Sequence, residues 1–340
     1  MKIIVRGTNW VGDAVMTIPA LRELRRIFPD SRIFLHTRSW ALGIFQDVDF
    51  IDQIIPFDRR KSSFQTIRTE ARNWREEKFD LAILFPNSFE SALLAKFGRV
   101  PQRFGYAKEG RSFLLTKAVP IPVWKNERHE VFYYLNLIAE VEKGVFKTET
   151  VGKDPPRFEL EVSMERKTEA RKILTKNGVD QQKKLFAMVP GSTNSRAKRW
   201  PAESFSRLND LLKERFDAEV VLLGSAEEIP VAGRVAECSS NPPIDLTGKT
   251  TLAEVTAILS LCDLLISNDT GPAHIGAALG TGTLVIFGPT NPKTTRPWNS
   301  EIIRRDVECS PCMLRDCPID HRCMIRIQPE DILEKVLSMI

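Results

Sequence analysis

Three segments of the sequence place small, polar and charged residues directly after apolar, strand-like runs. The first, residues 7–13, follows Ile3–Arg6 and ends in Asp13. Its two glycines have the spacing of a Walker A loop, but a carboxylate stands near the position of the phosphate-binding lysine, so a nucleoside triphosphate cradle is disfavoured. Asp13 is interpreted either as a helix N-cap or as a general base at the end of a strand. The two roles are compatible, because a carboxylate beside helix N–H groups stays ionised.

The second segment, residues 190–200, follows the apolar run Leu185–Val189. It contains a glycine, several small polar residues and three cations, Lys198 among them. Hydroxyls, backbone amides and a lysine in one loop suit the binding of a diphosphate. A solvated basic loop before a helix is the alternative interpretation.

The third segment, residues 267–274, reads Ser-Asn-Asp-Thr-Gly-Pro-Ala-His. Pro272 is typical of a first helical turn, and the free N–H groups of such a turn form an anion site. Asp269 cannot bind the same anion without repulsion, so we expect it to cap the helix, hold a sugar hydroxyl or orient a neighbour. His274 is interpreted as a phosphate donor or as a packing residue. A Gly-Pro loop at residues 288–292 also follows a strand and is predicted to border the same cleft.

The elements that carry these loops alternate between strand and helix patterns, which predicts parallel sheets in an α/β protein. The pattern restarts near residue 185, after a proline-containing linker at 155–165. We therefore predict an N-terminal domain at 1–160, a second domain at 161–327 and a C-terminal helix at 328–340. Two such domains usually bind their ligand in the cleft between them, at the carboxyl ends of the strands.

Composition restricts the class of protein. The 340 residues are 42% hydrophobic and 27% charged, as in ordinary globular proteins. A net charge of +5 is too small for a dedicated nucleic-acid binder, so no nucleic-acid partner is expected, but it is compatible with phosphate-bearing substrates or an anionic membrane surface. There is no long apolar run and no secretory segment at the start, which predicts a cytoplasmic protein.

Taken together, the loops resemble those of the lipopolysaccharide heptosyltransferases of glycosyltransferase family 9, over essentially the whole chain. The matching segments are Gly7–Asp13, Leu84–Phe89, Arg103–Tyr106, Lys198–Pro201, Asn268–His274, Phe287–Thr290 and Cys309–Cys323. The resemblance implies a GT-B fold, with two facing Rossmann-like domains and a deep interdomain cleft. It also implies inverting transfer that requires no metal cofactor.

The resemblance further implies roles for individual residues. Asp13 matches the catalytic base. The positions that match donor-binding residues are Ser192, Thr193, Lys198, Glu227, Asp269, Thr270, Gly271 and His274. Among these, Ser192 and Thr193 resemble phosphate contacts and Glu227 resembles the residue that holds the adenosine ribose. Lys198 and helix N–H groups would stabilise the charge that builds on the departing diphosphate.

The implied reaction moves L-glycero-D-manno-heptose from ADP-heptose to the heptosyl-Kdo2-lipid A inner core. A heptosyltransferase I-type or other core enzyme of the family is the alternative. Outside the transferases, the alternatives are a nucleotide-sugar epimerase-like enzyme and a non-catalytic nucleotide-sugar-binding protein. The acceptor would be anionic and lipid-linked, and Arg59, Arg60 and Lys61 are predicted to bind it and to hold the enzyme at the cytoplasmic face of the inner membrane. A solvated helix face is the other interpretation of these cations.

Four cysteines, Cys309, Cys312, Cys317 and Cys323, lie close together in the sequence around His321. In a cytoplasmic protein a disulfide framework is not expected, and the spacing departs from that of a zinc finger. A structural zinc site is one alternative, and reduced or partly disulfide-linked cysteines are favoured. Cys238 and Cys262 are predicted to be core residues, and the Asp-x-Asp pattern at 47–49 is interpreted as coincidence rather than a metal motif.

Overall fold

The computed structural model describes residues 1–58 and 63–340, except for the side chains of residues 63 and 64. The chain divides into two compact units, Met1–Phe158 and Glu159–Ile340, here called unit 1 and unit 2. The boundary falls within the segment predicted as a linker.

Unit 1 is built on a six-stranded parallel sheet in the order β3-β2-β1-β4-β5-β6. Its strands are β1 (Lys2–Arg6), β2 (Arg32–Thr37), β3 (Gln53–Pro56), β4 (Leu81–Leu84), β5 (Gln102–Tyr106) and β6 (Lys117–Val119). Its helices are α1 (Val11–Met16), α2 (Ile18–Ile27), α3 (Leu42–Phe45), α4 (Ser63–Glu77), α5 (Phe89–Phe97) and α6 (Glu130–Val145).

Unit 2 repeats this plan, with a parallel sheet in the order β12-β11-β10-β7-β8-β9. Its strands are β7 (Leu185–Val189), β8 (Glu219–Leu222), β9 (Ile244–Asp245), β10 (Leu264–Asn268), β11 (Gly282–Phe287) and β12 (Glu301–Arg304). Its helices are α7 (Met164–Lys176), α8 (Ala202–Phe216), α9 (Ile229–Cys238), α10 (Leu252–Leu259), α11 (Gly271–Ala278), α12 (Pro292–Thr295), α13 (Arg322–Ile325) and α14 (Pro329–Leu337).

Both sheets have the strand order of a Rossmann fold, in which the order reverses beside the first strand. The reversal lies between β1 and β4 in unit 1 and between β7 and β10 in unit 2. Ligands of open parallel sheets bind at the carboxyl ends of the strands at such a switch point. All three loops selected from the sequence follow strands at these two points, because they come after β1, β7 and β10.

The strands are buried because helices cover both faces of each sheet. In β1, Ile4 packs with Trp74 of α4 and Ala92 of α5, whereas Ile3 and Val5 point to the opposite face and are also fully buried. In unit 2, Phe186 of β7 belongs to a buried cluster to which α8 and α14 also contribute, and its ring contacts that of Phe216 in α8. Apolar side chains on both faces are typical of parallel sheets.

The strand-helix alternation predicted from the sequence is confirmed, but several short elements were not predicted. The strands β3, β6, β9 and β12 all lie at sheet edges, where fewer residues need to be apolar. The helical segment after β1 is interrupted at Thr17, which separates α1 from α2, and Pro19 lies in the first turn of α2. Cys262 is buried as predicted, but Cys238 is exposed because it is the last residue of α9.

No helix within the described residues is long and apolar enough to cross a bilayer. The C-terminal helix α14 packs on α8 and contributes Ile332 and Val336 to the core of unit 2.

A buried carboxylate fastens the end of unit 1. Glu142 of α6 is 1% exposed and accepts four hydrogen bonds, from the backbone N–H groups of Thr150 (2.7 Å) and Val151 (2.9 Å) and from the hydroxyls of Thr148 (2.8 Å) and Thr150 (2.6 Å). Burial by itself raises the pKa of Glu142, but these donors outweigh it and lower the pKa to about 2. The charged carboxylate therefore holds the segment after α6 in place.

We predict that Glu142→Gln destabilises the protein at pH 7 by about 1–3 kcal/mol, because the donors lose a charged acceptor. Since the folded-state pKa is depressed, this contribution is fully present above the ordinary glutamate pKa of 4.5 and is lost as the pH falls toward about 2. Thermal unfolding of wild type and variant at pH 7 and at pH values between 4.5 and 2 measures it. A difference in melting temperature that stays constant over that lower range would contradict the assignment.

Candidate active site

Asp13 lies in the first turn of α1, directly after the switch-point strand of unit 1. The helix begins at Val11 and its N-cap is Trp10, so the N-cap interpretation of Asp13 is wrong. An acidic residue in the first turn is still stabilised by the helix dipole. Asp13 is half-buried. The pKa of the buried Tyr134 hydroxyl is raised first by the burial of Tyr134 and second by the negative charge of Asp13. The carboxylate is therefore positioned at the carboxyl edge of β1.

The neighbouring loop of unit 1, between β4 and α5, is held by a residue that sequence reasoning missed. Arg111 is fully buried, and burial lowers the pKa of its guanidinium to about 10. It donates to the carbonyl of Tyr106 (3.0 Å), to the carbonyl of Ser88 (3.1 Å) and to the hydroxyl of Ser91 (2.9 Å). It thus joins the loops that follow β4 and β5, a contact between distant segments that local sequence patterns do not reveal.

In unit 2, Lys198 and Asp269 form an ion pair. The Lys198 ammonium lies 2.8 Å from a carboxylate oxygen of Asp269 and donates to its backbone carbonyl at 3.1 Å. Asp269 is only 5% exposed, and its carboxylate also accepts the Thr290 hydroxyl at 2.7 Å. Of the three roles expected for Asp269, the structure shows that it orients a neighbour. Thr290 lies in the Gly-Pro loop that the sequence placed beside this site.

The fully buried Asn268 joins the loops after β7 and β10. Its side chain accepts the N–H of Trp200 (3.1 Å) and donates to the carbonyls of Pro190 (2.7 Å) and Gly191 (3.3 Å). The loop that carries Lys198 is thereby fixed at both ends. An asparagine at the end of an otherwise apolar strand was the sequence signal for such a role.

Arg199 shapes the same loop from within. It is half-buried, and its guanidinium donates to the Ser192 carbonyl at 3.0 and 3.2 Å. Ser192 is buried and Thr193 is exposed, so the two predicted phosphate contacts differ in accessibility.

At the start of α11, Thr270 is the N-cap residue in an extended conformation, and its side chain makes no capping hydrogen bond. Its hydroxyl lies 3.2 Å from that of Ser267. The N–H of Ala273 donates to the Thr270 carbonyl at 3.2 Å, because the first turn tightens, so it is not one of the free N–H groups of this turn. The amides of Thr270 and Gly271 stay the predicted anion donors. His274, one turn into the helix, is buried at 6% exposure.

Two consecutive glutamates, Glu227 and Glu228, lie in the connection after β8. Glu227, the predicted ribose contact, is exposed, and a hydrogen bond from Ser225 lowers its pKa. Glu228 is buried and accepts the Ser225 N–H at 2.8 Å. A Cβ at Gly191, two residues after β7, would lie 2.2 Å from its carboxylate, so any other residue there would displace the Glu228 side chain. The buried glutamate therefore packs directly against Gly191 of the predicted phosphate loop.

The cysteine-bearing segment, Cys309–Cys323, is hydrogen-bonded to the loop that carries Lys198 and to the loop that carries Thr290. The Arg315 carbonyl accepts the N–H of Ala197 at 2.9 Å, and His321 Nε2 lies 2.6 Å from the Ala197 carbonyl. The N–H of Met313 donates to the carbonyl of Pro289 at 2.8 Å. The segment thus connects the loop of Lys198 with the loop of Thr290, a structural role that its sequence pattern did not indicate.

The six cysteines are free thiols. Burial, followed by the charges of the three neighbouring cysteines of the segment, raises the pKa of Cys323 to about 11. In the described part of the chain, no group of three or more His, Cys, Asp or Glu side chains is arranged to hold a metal ion. Asp49, of the Asp-x-Asp pattern, is exposed and lies 3.8 Å from Arg22.

The predicted acceptor-binding residues Arg59, Arg60 and Lys61 lie outside the described residues.

Two Rossmann-like units with charged and amide-rich loops at their switch points define a GT-B-type glycosyltransferase fold. Residues 67–322 match the model of glycosyltransferase family 9 (heptosyltransferase), and the chain belongs to this family. It is thus a glycosyltransferase.

Relatives match over the full length. The chain is 28% identical to lipooligosaccharide heptosyltransferase 2 of Campylobacter jejuni, covering 100% of this chain and 98% of that protein. It is 27% identical to lipopolysaccharide heptosyltransferase 2 of Salmonella typhimurium, covering 100% and 99%. The solved structure of E. coli ADP-heptose LPS heptosyltransferase II superposes with a TM-score of 0.85 at 26% identity, covering 100% and 98%. The predicted family and fold class are confirmed.

Proposed function

We propose that this enzyme transfers L-glycero-D-manno-heptose from ADP-heptose to an inner-core sugar of lipopolysaccharide, with heptosyl-Kdo2-lipid A as the acceptor. The observation that carries the donor assignment is the Lys198–Asp269 pair beside the start of α11, at the switch point of unit 2. A partly exposed lysine and helix amides suit the diphosphate of a nucleotide sugar. The full-length likeness to heptosyltransferase 2 proteins supports heptose as the sugar and the lipopolysaccharide core as the acceptor.

The proposed chemistry is a single inverting displacement. The acceptor hydroxyl oxygen forms a bond to the anomeric carbon while the bond from that carbon to the ADP oxygen breaks. Asp13 takes the proton from the hydroxyl, and ADP leaves with the electron pair of the broken bond. Attack from the face opposite to ADP inverts the anomeric configuration. The mechanism requires that Asp13 and the donor loops reach the same sugar.

Lys198 is proposed to stabilise the departing ADP. In the present arrangement its charge is balanced by Asp269, so the site is close to neutral before the donor binds. Binding of the diphosphate would place a second anion at the ammonium, and the Thr290 hydroxyl stays available to satisfy the carboxylate. Charge neutralisation by these protein groups and the amides of α11 is proposed to serve in place of a bound metal.

Ser192 and Thr193 are proposed to contact the phosphates, Glu227 the ribose, and His274 a phosphate oxygen. The acceptor is proposed to be reached at the cytoplasmic face of the inner membrane, where the enzyme would associate peripherally.

We predict that Asp13→Asn lowers the transfer rate about 100-fold or more, because the acceptor hydroxyl loses its proton acceptor while the side-chain shape is kept. Donor affinity should be unchanged, which titration calorimetry with ADP-heptose measures. Asp49→Asn is the matched control: it removes a carboxylate from the same unit whose side chain is 87% exposed, and it should leave the rate unchanged. If the transfer rate of Asp13→Asn falls by less than about 10-fold, Asp13 is not the general base.

We predict that Lys198→Met weakens ADP binding about 10-fold or more, because it removes a cation and leaves the Asp269 carboxylate to repel the diphosphate. The double variant Lys198→Met/Asp269→Asn should recover part of the loss, since the repelling charge is also removed. Lys172→Met, which breaks a surface ion pair with Glu169, is the control and should have no effect. Equal weakening in the single and double variants would show that the pair does not face the diphosphate.

The acceptor is tested by incubating the enzyme with ADP-heptose and either heptosyl-Kdo2-lipid A or Kdo2-lipid A, and by measuring ADP release in the presence of EDTA. We expect turnover with the heptosylated acceptor only. Turnover with Kdo2-lipid A alone would indicate a heptosyltransferase I-type enzyme. No ADP release with either acceptor would refute the proposed function.

A further inference from the structure

The loops after β1 and β4 each carry an asparagine at the same distance from the end of the strand. Arg6 ends β1 and is paired in register with Leu84, which ends β4. Asn9 and Asn87 are each the third residue beyond this pair. The strands are still joined where the loops begin, since the residue after β4 donates its N–H to the Arg6 carbonyl at 3.2 Å. Both asparagines therefore lie at the edge of the sheet that bears Asp13.

A buried arginine determines which way the Asn87 amide faces. The carboxamide oxygen of Asn87 lies 3.5 Å from the Arg111 guanidinium and 3.3 Å from the Tyr133 hydroxyl. A guanidinium has only donors, so the amide oxygen faces it and the NH₂ group lies at the opposite corner of the amide. Among the described residues, none accepts a hydrogen bond from this NH₂ group, and Asn87 is half-buried. Its two N–H donors are therefore held in one orientation and left for solvent or a ligand.

The charge of Arg111 strengthens this donor. Within the part of the chain that the structure describes, its guanidinium donates to neutral oxygens and forms no ion pair with a carboxylate. Arg111 is fully buried, where electrostatic interactions are less screened than in water. Because hydrogen bonds in a chain polarise one another, a cation at the amide oxygen makes the N–H groups of Asn87 better donors. The ligand group that suits Asn87 is therefore an oxygen such as that of a sugar hydroxyl.

The loop of Asn9 adds a second amide and an aromatic face. The carboxamide oxygen of Asn9 lies 3.5 Å from the guanidinium of the buried Arg6, which orients this exposed amide in the same way. The next residue, Trp10, is 56% exposed, although tryptophan is highly buried on average. Its side chain makes no capping hydrogen bond to α1, so capping does not account for its position. An exposed indole offers a flat apolar face on which the C–H groups of a sugar ring can pack.

Trp10 and Asp13 lie on the same side of the first turn of α1. Trp10 is the N-cap residue, and its carbonyl accepts the N–H of Ala14 at 2.9 Å, which closes the turn around Asp13. Residues three apart on a helix are neighbours on its surface. A general base must lie within hydrogen-bond distance of the hydroxyl whose proton it takes. A sugar that presents this hydroxyl to Asp13 is consequently within reach of the indole.

We propose that Asn9, Trp10 and Asn87 form the subsite for the acceptor sugar that Asp13 deprotonates. The two amides donate to hydroxyl oxygens of this sugar, and the indole covers one face of its ring. The inference rests on the proposed function, because it takes Asp13 as the base and unit 2 as the donor-binding unit. A site built to donate to a hydroxyl rejects a sugar that lacks the hydroxyl at that position, so the subsite selects the acceptor.

The variant Asn87→Asp separates binding from structure. Aspartate keeps the side-chain shape and gives Arg111 a charged acceptor, so the melting temperature should stay the same or rise. The NH₂ group is replaced by an oxygen that cannot donate. We therefore expect the KM for the water-soluble, deacylated heptosyl-Kdo2 acceptor to rise about 10-fold or more, with the KM for ADP-heptose unchanged. Asn73→Asp makes the same change at an exposed position of α4 and is the matched control, which should alter neither KM.

The indole is tested by comparing Trp10→Ala with Trp10→Phe. Alanine removes the aromatic face, so the KM for the same acceptor should rise about 10-fold, whereas phenylalanine keeps a face and should stay within about 3-fold of wild type. Phe97→Ala is the control: Phe97 is 42% exposed at the C-terminal end of α5, and its replacement should leave both KM values unchanged.

An unchanged acceptor KM in either Asn87→Asp or Trp10→Ala overturns the proposed subsite. A rise in the KM for ADP-heptose alone also overturns it, since the donor sugar would then occupy this edge, and so does a lowered melting temperature with both KM values raised, which would indicate a structural role. If wild type releases no ADP with the acceptor, the proposed function fails. Titration calorimetry with the deacylated acceptor still tests the subsite: binding by wild type that both variants weaken supports it, and equal binding by all three proteins, or none by wild type, overturns it.

Discussion

The ion pair between Lys198 and Asp269 is the interaction on which the candidate donor site depends. A buried carboxylate is costly unless it is paired and hydrogen-bonded, and here the lysine and the Thr290 hydroxyl together meet that requirement. The pair connects the loops that follow β7, β10 and β11. Removing Lys198 would leave the buried Asp269 carboxylate without its cation, which is destabilising. The same ion pair therefore holds the three loops together and balances the charge of the site.

Two further contacts keep this pair in position. Asn268 fixes both ends of the loop that carries Lys198, and the cysteine-bearing segment bonds to the same loop at Ala197. The lysine is consequently presented at the carboxyl edge of the sheet by backbone that is held from both sides. Preorganised cations of this kind stabilise developing charge without reorganisation during the reaction.

The sequence was sufficient to predict the class of fold and the loops that form the candidate site. Apolar runs followed by glycine-rich and polar segments reflect local requirements of a parallel sheet, so they can be recognised without coordinates. The roles of Thr290, Arg111 and Glu228 were not predicted, because each depends on contacts with residues far away in the chain or on a close approach to a glycine. Asp13 was found as a candidate base, but the alternative interpretation as a helix cap was wrong, since the helix starts two residues earlier, at Val11.

The central claim is that the Lys198–Asp269 pair receives the diphosphate of the donor. A crystal structure of the enzyme with ADP tests this most directly. The account predicts a phosphate oxygen within about 3 Å of Lys198 Nζ, with the Asp269 carboxylate still bonded to Thr290. A diphosphate bound away from Lys198, with the ion pair intact and remote from it, would contradict the account.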